Sequence, residues 1–235
     1  MIGKGRLPGI IQLVIILLAT AALLLPFVLA DQPWPVQARN YLEGNAGVDT
    51  GARNTVSAIY LGYRVFDTLG ETIVLLVAIT GTIALIGKYG INQGAVKSGR
   101  LRTVLLEVVA AKLGPIVLVF GLHVMMYGHV SPGGGFQGGV VIASGIIFLE
   151  LGGRKGASTM LADKKVLALI ESSVFLLMVL SALSGVVLGG GFFADFLAPL
   201  GMPTVSYIVM LNILIGMKVG AGIGYMCISM LGRVE

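Results

Sequence analysis

Ionisable side chains lie inside long apolar stretches of this sequence, where packing alone does not explain them. A charged group in hydrocarbon is costly, and it usually faces an opposite charge or a water-filled path. Such residues therefore point to the binding or transfer of small ions or protons. Six of them are Glu71, Glu107, Lys112, Glu150, Glu171 and Lys218. All except Glu150 are our ion-pathway candidates, and Lys218 lies deepest within its stretch.

The position of each charge along its stretch separates these candidates. Glu71, Glu150 and Glu171 stand near the ends of predicted membrane spans, which favours a solvated position at the membrane interface. Glu107 and Lys112 are five residues apart, about 140° around a helix, so they cannot form a simple intrahelical pair. We expect each of these two to have a partner elsewhere.

Two histidines, His123 and His129, flank the start of a glycine-rich segment and are further ion-pathway candidates. Histidine titrates near neutrality, so a pH-sensitive hydrogen bond is one reading, and a purely structural hydrogen bond is the other. With one distant cysteine, Cys227, the chain has no cluster with zinc-ligand spacing and no cysteine set for an iron–sulfur cluster. The sequence predicts no catalytic residue, no metal site and no cofactor held by this chain.

The glycine-rich segment contains Gly133-x-Gly135-x-x-Gly138, which matches a dinucleotide fingerprint in its spacing. That fingerprint requires a strand before it, a helix after it and an acidic residue about 20 positions on. Here the segment joins two predicted membrane spans, and Ser158 occupies that position. The glycines and Pro132 are instead expected to break a helix. Broken helices in transporters often mark an ion site, and a tight turn made for packing is the alternative.

Composition places these residues in a membrane protein. Hydrophobic residues make up 56% of the 235 residues and charged residues only 11%, against about 25% charged in a typical soluble domain. Too few polar residues remain to cover a water-soluble core of that size. The formal charge of +5 comes from small basic clusters beside apolar stretches, which is typical of cytoplasmic loops and argues against a nucleic-acid partner.

Hydrophobic stretches long enough to cross a bilayer as helices set the architecture. Six are predicted, at residues 8–30, 68–86, 103–126, 136–151, 166–188 and 205–231. Basic residues number eleven on the side of the N-terminus and three on the other. We therefore expect an all-α integral protein of the cell membrane with both termini inside (N-in/C-in). The fourth stretch is short, so the glycine-rich broken segment before it is expected to dip into the membrane.

A polar stretch separates the first two predicted spans. Within it, Val56, Ile59, Tyr60 and Tyr63 follow helical spacing and form one apolar face. We expect an interfacial helix here, between the first and second spans, lying along the membrane surface or against a partner subunit.

Close helix packing is the expected role of many of the 35 glycines. Helices in lipid associate through ridges of small residues. Two such ridges comprise Gly216, Gly220 and Gly224 on the sixth span and Ser181, Gly185 and Gly189 on the fifth.

The segment HVSPGGGFQGG, at residues 129–139, carries a resemblance to a known family. From about Arg100 to the C-terminus, the chain resembles the B subunit of Mrp-type (Mnh-type) multisubunit sodium/proton antiporters, MnhB. The resemblance identifies the glycine-rich segment as a broken-helix motif. Its residues are Ser131, Pro132, Gly133, Gly134, Gly135, Phe136, Gln137 and Gly138.

A second resemblance covers roughly the first 90 residues. The run RNTVSAIYLGYRVFDTLGE, from Arg53 to Glu71, is similar to the C-terminal end of the large antiporter protein that accompanies MnhB, its A-type partner, where FDTLGE precedes a membrane span. We therefore expect two regions. Residues 1–99 would be the A-type C-terminal-like region with two spans, and residues 100–235 the MnhB-like region with four.

An A-type tail joined to MnhB resembles the Mrp-like module of archaeal membrane-bound hydrogenases and sulfane-sulfur reductases. That resemblance implies a non-catalytic subunit of an ion-translocating module, in which Na⁺ or H⁺ is the transported ion. The implied partners are other Mrp-like membrane subunits, a peripheral iron–sulfur, hydrogenase-like arm and the lipid bilayer. Asp67, Glu71, His129, Pro132 and Phe136 occupy family motif positions. The resemblance implies that these residues shape or line the ion path.

Three other functions stay open at the level of sequence. In these alternatives the chain is a subunit of a conventional Mrp antiporter, a purely structural membrane spacer, or a freestanding six-helix carrier. A spacer predicts that neutralising the buried charges leaves transport intact. The partner-seeking interfacial segment argues mildly against a freestanding carrier.

Overall fold

A computed structural model of the chain describes residues 9–29, 36–89, 104–152 and 161–231. Helices dominate these segments, and none of the residues described forms a strand. In chain order the helices are α1 (Gly9–Leu29), α2 (Val36–Thr50), α3 (Thr55–Ala58), α4 (Val65–Tyr89), α5 (Val104–Met126), α6 (Gly135–Gly152), α7 (Lys164–Leu188) and α8 (Thr204–Met230). A π-helical turn, Ile59–Tyr63, joins α3 to α4, and a 3-10 turn, Ala198–Leu200, precedes α8.

Five of the described helices, α4 to α8, are long and apolar enough to cross a membrane. The described apolar stretch of α1, Leu13–Ala22, is shorter than a full span. Large apolar side chains stand exposed along these helices, as at Val187 and Val119. Such surfaces require lipid or protein around them, so the predicted all-α integral membrane class is confirmed. The N-in/C-in orientation stays a prediction.

Helix bounds follow the predicted spans closely because each span is an apolar run of bilayer length. The predicted span 136–151 corresponds to α6, whose 18 residues make about 27 Å of helix. The predicted span 166–188 begins earlier, at Lys164, where Asp163 caps α7 by accepting a hydrogen bond from the Lys165 N–H at 2.8 Å.

Two compact units divide the chain, residues 1–40 and residues 41–235. In the second unit α8 is the central helix, and it packs against α4, α6 and α7. Of the residues in its membrane-spanning part, 67% are buried inside the chain. The corresponding buried fraction is 17% for α5 and only 11% for α4. The helices α4 and α5 therefore offer much of their surface to neighbours outside the chain.

Glycines allow α8 to approach α6 closely, as the first predicted ridge requires. A Cβ at Gly216 would lie 3.1 Å from the Gly135 carbonyl oxygen, and one at Gly220 would lie 3.3 Å from the Gly139 carbonyl oxygen. Both positions are thus tight against the backbone of α6. These two members of the ridge pack as expected, whereas a Cβ at Gly224 would make only ordinary contacts, the nearest at 3.7 Å from the Leu167 Cδ1 of α7.

The second predicted ridge packs against a loop instead of a helix. A Cβ at Gly185 would lie 2.6 Å from the Ala194 nitrogen, and one at Gly189 would lie 2.8 Å from the Ala194 Cβ. The chain after α7 folds back over these glycines, with the Phe193 N–H donating to the Ala182 carbonyl at 3.3 Å. The ridge was expected to pack against another helix, and this expectation is wrong because the ridge packs against the segment that follows α7.

The polar stretch between the first two predicted spans forms α2, α3 and the π-helical turn rather than one interfacial helix. Half of the predicted apolar face packs inside the chain: Ile59 and Tyr60 lie against the core, whereas Val56 and Tyr63 are exposed. Ser57, Ala58 and Leu61 are fully buried beside them. The sequence pattern missed α2 because that helix is polar and buries only two of its residues. Whether this stretch lies along the membrane surface stays a prediction.

Candidate functional site

A buried ion pair joins α7 and α8. The Lys218 Nζ lies 2.5 Å from the Glu171 Oε1, and the two side chains are 0% and 6% exposed. Lys218 stands near the middle of α8, fourteen residues after its first residue, Thr204. A charge at such depth is tolerated when an opposite charge lies against it. Glu171 supplies that charge from the neighbouring helix.

Apolar and small residues enclose the pair. The Phe175 ring, one turn beyond Glu171, lies 5.2 Å from the Lys218 Nζ, a distance that allows a cation–π contact. Gly222, one turn beyond Lys218, leaves room for the stem of Glu171, since a Cβ there would lie 3.3 Å from the Glu171 Cγ. Such a pair in low-dielectric surroundings can fix two helices together.

The glycine-rich segment breaks the chain between α5 and α6, as predicted. Gly133 and Gly134 have φ angles of 140° and 151°, a region that side-chain-bearing residues rarely adopt. A Cβ at Gly134 would also lie 3.2 Å from the Asn212 Oδ1 and closer still to the Tyr60 hydroxyl. Both backbone conformation and space therefore require glycine here.

Residues from the start of α3 hold the broken segment in place. The Asn54 Nδ2 donates to the carbonyl oxygens of Gly128 and Ser131 at 2.8 and 2.9 Å, and the Asn54 N–H donates to the His129 carbonyl at 3.0 Å. The Ser57 hydroxyl donates to the Gly128 carbonyl at 2.6 Å. The broken backbone thus finds its hydrogen-bond partners inside the protein, as such segments must in a membrane.

Asn212 of α8 completes this arrangement from the other side. It is wholly buried, and its Oδ1 accepts hydrogen bonds from the Gly135 N–H at 2.9 Å and the Tyr60 hydroxyl at 2.6 Å. Gly135 is the first residue of α6, so Asn212 satisfies one of the free N–H groups at that helix end. Burial, the largest cause, raises the pKa of Tyr60 above its ordinary value, so the hydroxyl keeps its proton.

Of the eight ion-pathway candidates, Glu171 and Lys218 form a buried ion pair. Glu171 pairs with Lys218, so the expectation of a solvated Glu171 at the interface is wrong. That expectation treated distance from a span end as exposure, whereas α8 covers Glu171 from 47 residues away in sequence. Glu150 was also expected to be solvated, and this expectation is wrong because Glu150 is only 6% exposed.

Candidates on α4 lie at the surface of the chain. The Asp67 Oδ2 accepts a hydrogen bond from the Arg64 Nε at 2.7 Å, and both side chains are exposed. Asp67 and Glu71 line an open cleft of about 250 Å³, together with Tyr60 and Thr68. The role of these carboxylates in ion transfer stays a prediction.

Candidates on and after α5 are also at or near the surface. Glu107, Lys112 and His123 are exposed. Glu107 lies in the first turn of α5, where a carboxylate interacts favourably with the helix dipole. The His123 ring stacks on the Tyr127 ring, with the two ring centroids 4.7 Å apart. The His129 Nδ1 lies 3.1 Å from the Met126 carbonyl oxygen.

The rest of the broken-helix motif lies at the start of α6. Phe136 packs against the core that surrounds α8, whereas Gln137 is exposed. A Cβ at Gly138 would lie 2.7 Å from the Met125 nitrogen, so this glycine brings α6 against α5. Ser131 donates to the Tyr127 carbonyl at 3.1 Å. Pro132 is exposed.

Sequence reasoning missed the uncharged members of the site. The residues that hold the broken segment are Asn54, Ser57, Tyr60 and Asn212. The predicted site residues were charged residues, histidines and the glycine-rich motif itself, whereas Tyr60 was placed only on an apolar helical face. Asn212 did carry a usable sign, because a neutral amide within a membrane span also needs a hydrogen-bond partner. Among the residues described, no group of three or more metal-ligating side chains comes together.

A helical membrane chain with a paired charge in its interior and a helix broken at glycines has the features of an ion-transport protein. The family described as "Domain related to MnhB subunit of Na+/H+ antiporter" matches residues 105–225. The chain belongs to this family. The match lies within the predicted MnhB-like region 100–235, and the boundary at residue 99 stays a prediction.

Two curated relatives differ in how much of their length the chain covers. An uncharacterized protein of Methanocaldococcus jannaschii is 30% identical over an alignment of 195 positions, and the match covers 72% of this chain and 74% of that protein. A probable A/B subunit of a K(+)/H(+) antiporter, from Rhizobium meliloti, is 23% identical over an alignment of 153 positions, and the match covers 56% of this chain and 15% of that protein.

Two solved structures share the fold. A chain of the membrane-bound sulfane sulfur reductase, described as an archaeal respiratory membrane complex, matches with a TM-score of 0.63 and 27% identity, covering 95% of this chain and 98% of that one. A chain of the Mrp complex from Dietzia sp. DQ12-45-1b matches with a TM-score of 0.63 and 23% identity. The match covers 96% of this chain but only 26% of that one, and at this identity it bears on the fold alone.

Proposed function

We propose that this chain is a membrane subunit of a Mrp-like ion-translocating module, working within an energy-converting respiratory complex. It contributes transport structure and no catalysis. Its partners are other Mrp-like membrane subunits and, beyond them, a peripheral iron–sulfur arm of the hydrogenase or sulfane sulfur reductase kind. The transported ion is Na⁺ or H⁺, and this chain holds no cofactor of its own.

The fraction of each matched chain that the alignment covers is the observation that carries this proposal. The chain aligns with nearly the whole of one chain in the sulfane sulfur reductase, 98% of it. It aligns with about a quarter of one chain in the Mrp complex, 26%. The matched fold therefore accounts for nearly a whole subunit of a respiratory complex, whereas in the Mrp complex it is one part of a much longer chain.

The buried ion pair supplies the chemistry for a transport role. Paired charges inside a membrane protein often stand on or beside an ion path. We place the path of the module next to Lys218 and Glu171, where their fields act on a passing cation or on a proton. The broken segment and Asn212 would hold the surrounding helices at the spacing that this path needs.

Purification of the tagged chain from native membranes in mild detergent tests the proposal. The expected result is co-purification with antiporter-like membrane subunits and with iron–sulfur subunits, identified by mass spectrometry and by the iron content of the complex. Recovery of the chain alone, still transporting Na⁺ in liposomes, would reject a subunit role.

A conventional Mrp antiporter is the second candidate function, favoured by the Rhizobium meliloti relative, whose name describes a K(+)/H(+) antiporter component. It predicts recovery with antiporter subunits and without an iron–sulfur arm. Transport assays address the structural-spacer alternative. Glu171→Gln and Lys218→Met should each lower Na⁺-coupled transport by complex-containing vesicles, while the exposed control Lys165→Met should not. Equal transport by all three variants would favour a spacer.

A further inference from the structure

We propose that the outward face of α5 is the docking surface for a transmembrane helix of another membrane subunit, and that this helix carries a carboxylate opposite Lys112. The inference rests on the proposed function, because it takes the chain to be one subunit of a complex. Its own support is the placement of charge on α5.

The two sides of α5 differ sharply. One side packs inside the chain, chiefly on α6, through Ala110, Gly114, Gly121 and Met125. Lys112 and His123 are eleven residues apart, which places them within about 20° of each other around the helix and opposite the packed side. Ile116 and Val119 lie between them on the outward side, and both are well exposed, at 62% and 68%.

Lys112 is deep for a lipid-facing lysine. It stands eight residues after Val104, the first residue of α5, which is about 12 Å along the helix axis. The part of the chain that the structure describes gives Lys112 no ion pair: of its two ion pairs, one joins Arg64 to Asp67 and the other Lys218 to Glu171. A cation in this position is stabilised by an anionic group at the same depth. Charge complementarity therefore specifies an acidic partner helix.

The exposed side of α7 provides the contrast. It presents Leu176, Leu180, Leu183 and Val187. A surface of this kind is satisfied by lipid and needs no partner. The outward face of α5 has a similar apolar surface but adds a lysine in its middle and a histidine near its end. That difference marks α5 as a protein-facing helix.

A second copy of this chain fits the face poorly. Two copies inserted in the same direction would be related by a twofold axis along the membrane normal. Their Lys112 side chains would then meet at equal depth, where like charges repel. A different subunit with an acidic residue avoids this repulsion.

Site-specific photo-crosslinking of the whole complex in native membranes tests the inference. A benzophenone amino acid at Ile116 or Val119 should form an adduct with another membrane subunit. Mass spectrometry should map the adduct to a transmembrane helix that contains Asp or Glu. The matched controls at Leu176 and Leu183 of α7 should give lipid adducts. Adducts of α5 with lipid only, with a second copy, or with a helix lacking an acidic residue would overturn the inference.

Charge reversal supplies a second measurement. Lys112→Glu should lower the amount of partner subunit that co-purifies with the chain by about tenfold, which corresponds to a tenfold loss of affinity. Lys112→Arg should leave the amount of co-purified partner unchanged. Replacing the mapped acidic residue of the partner by Lys should restore binding to the Lys112→Glu chain. Unchanged recovery with Lys112→Glu would overturn the inference. Normal membrane levels and thermal stability of this variant would establish that the chain still folds.

The outcomes separate this inference from the function on which it rests. If the chain purifies with no other subunit, the proposed function fails. If the complex is recovered but α5 touches only lipid, the proposed function stands and the docking surface alone is rejected.

Discussion

Lys218 of α8 and Glu171 of α7 meet at 2.5 Å with both side chains almost completely buried. Each helix contributes one charge, so the pair links two helices that are otherwise held by apolar contacts and small residues. The interior charge of either residue is tolerated only because the other is present. This mutual dependence makes the pair accessible to a double-mutant cycle.

Removing one charge is expected to destabilise the protein more than removing both. Lys218→Met or Glu171→Leu alone would leave an uncompensated buried charge, which costs about 3–5 kcal/mol. The double variant replaces the pair by apolar side chains and should recover most of that loss. The midpoint of thermal unfolding of the purified complex measures the effect, with the exposed Lys165→Met as control. A double variant less stable than either single one would contradict the mutual dependence of the two charges.

Sequence alone located the membrane helices well, and a physical reason explains it. A helix that crosses a bilayer must be an apolar run of fixed length, so α5 at Val104–Met126 nearly coincides with the predicted span 103–126. Exposure within a helix was harder to predict. Glu171 is buried because α8 covers it, and no local pattern around Glu171 records that contact.

The candidate site depended even more on contacts distant in sequence. Tyr60 and Asn212 are 152 residues apart, and their hydrogen bond forms only because α3, the broken segment and α8 converge. The glycine-rich segment itself was predictable, since backbone conformations reserved for glycine leave a mark in composition. The polar side chains that hold this segment leave no comparable mark.

The hydrogen bonds of Asn212 are expected to stabilise the broken segment. Tyr60→Phe removes one donor to the Asn212 Oδ1 and should cost about 1 kcal/mol. Asn212→Leu leaves both the Tyr60 hydroxyl and the Gly135 N–H without their acceptor, and should cost about 2 kcal/mol or more. Thermal unfolding measures both variants, and Tyr41→Phe at an exposed position should change little. Equal losses for Tyr60→Phe and Tyr41→Phe would contradict this role.

Gly134 should tolerate alanine less well than Gly190 does. Both have positive φ angles, 151° and 78°, so alanine is strained at either position, by about 1–3 kcal/mol. At Gly134 a Cβ would also press against Asn212, whereas nothing lies within 4 Å of one at Gly190. The midpoint of thermal unfolding should therefore fall further below the wild-type value for Gly134→Ala than for Gly190→Ala. Indistinguishable midpoints would indicate that the broken segment adjusts freely.

Tyr63 should titrate at unusually high pH. Its hydroxyl donates a hydrogen bond to the Asp49 carboxylate, and this bond is the main reason that the pKa of Tyr63 is raised from 10.0 to about 12. The associated stability is fully present below pH 10 and is lost as the pH rises through about 12. The difference in ultraviolet absorbance between the wild type and Tyr63→Phe isolates this phenol from the other tyrosines. In an Asp49→Asn background the pKa of Tyr63 should fall back towards 10. A difference spectrum that already titrates near pH 10 with Asp49 in place would mean that the hydrogen bond does not persist in solution.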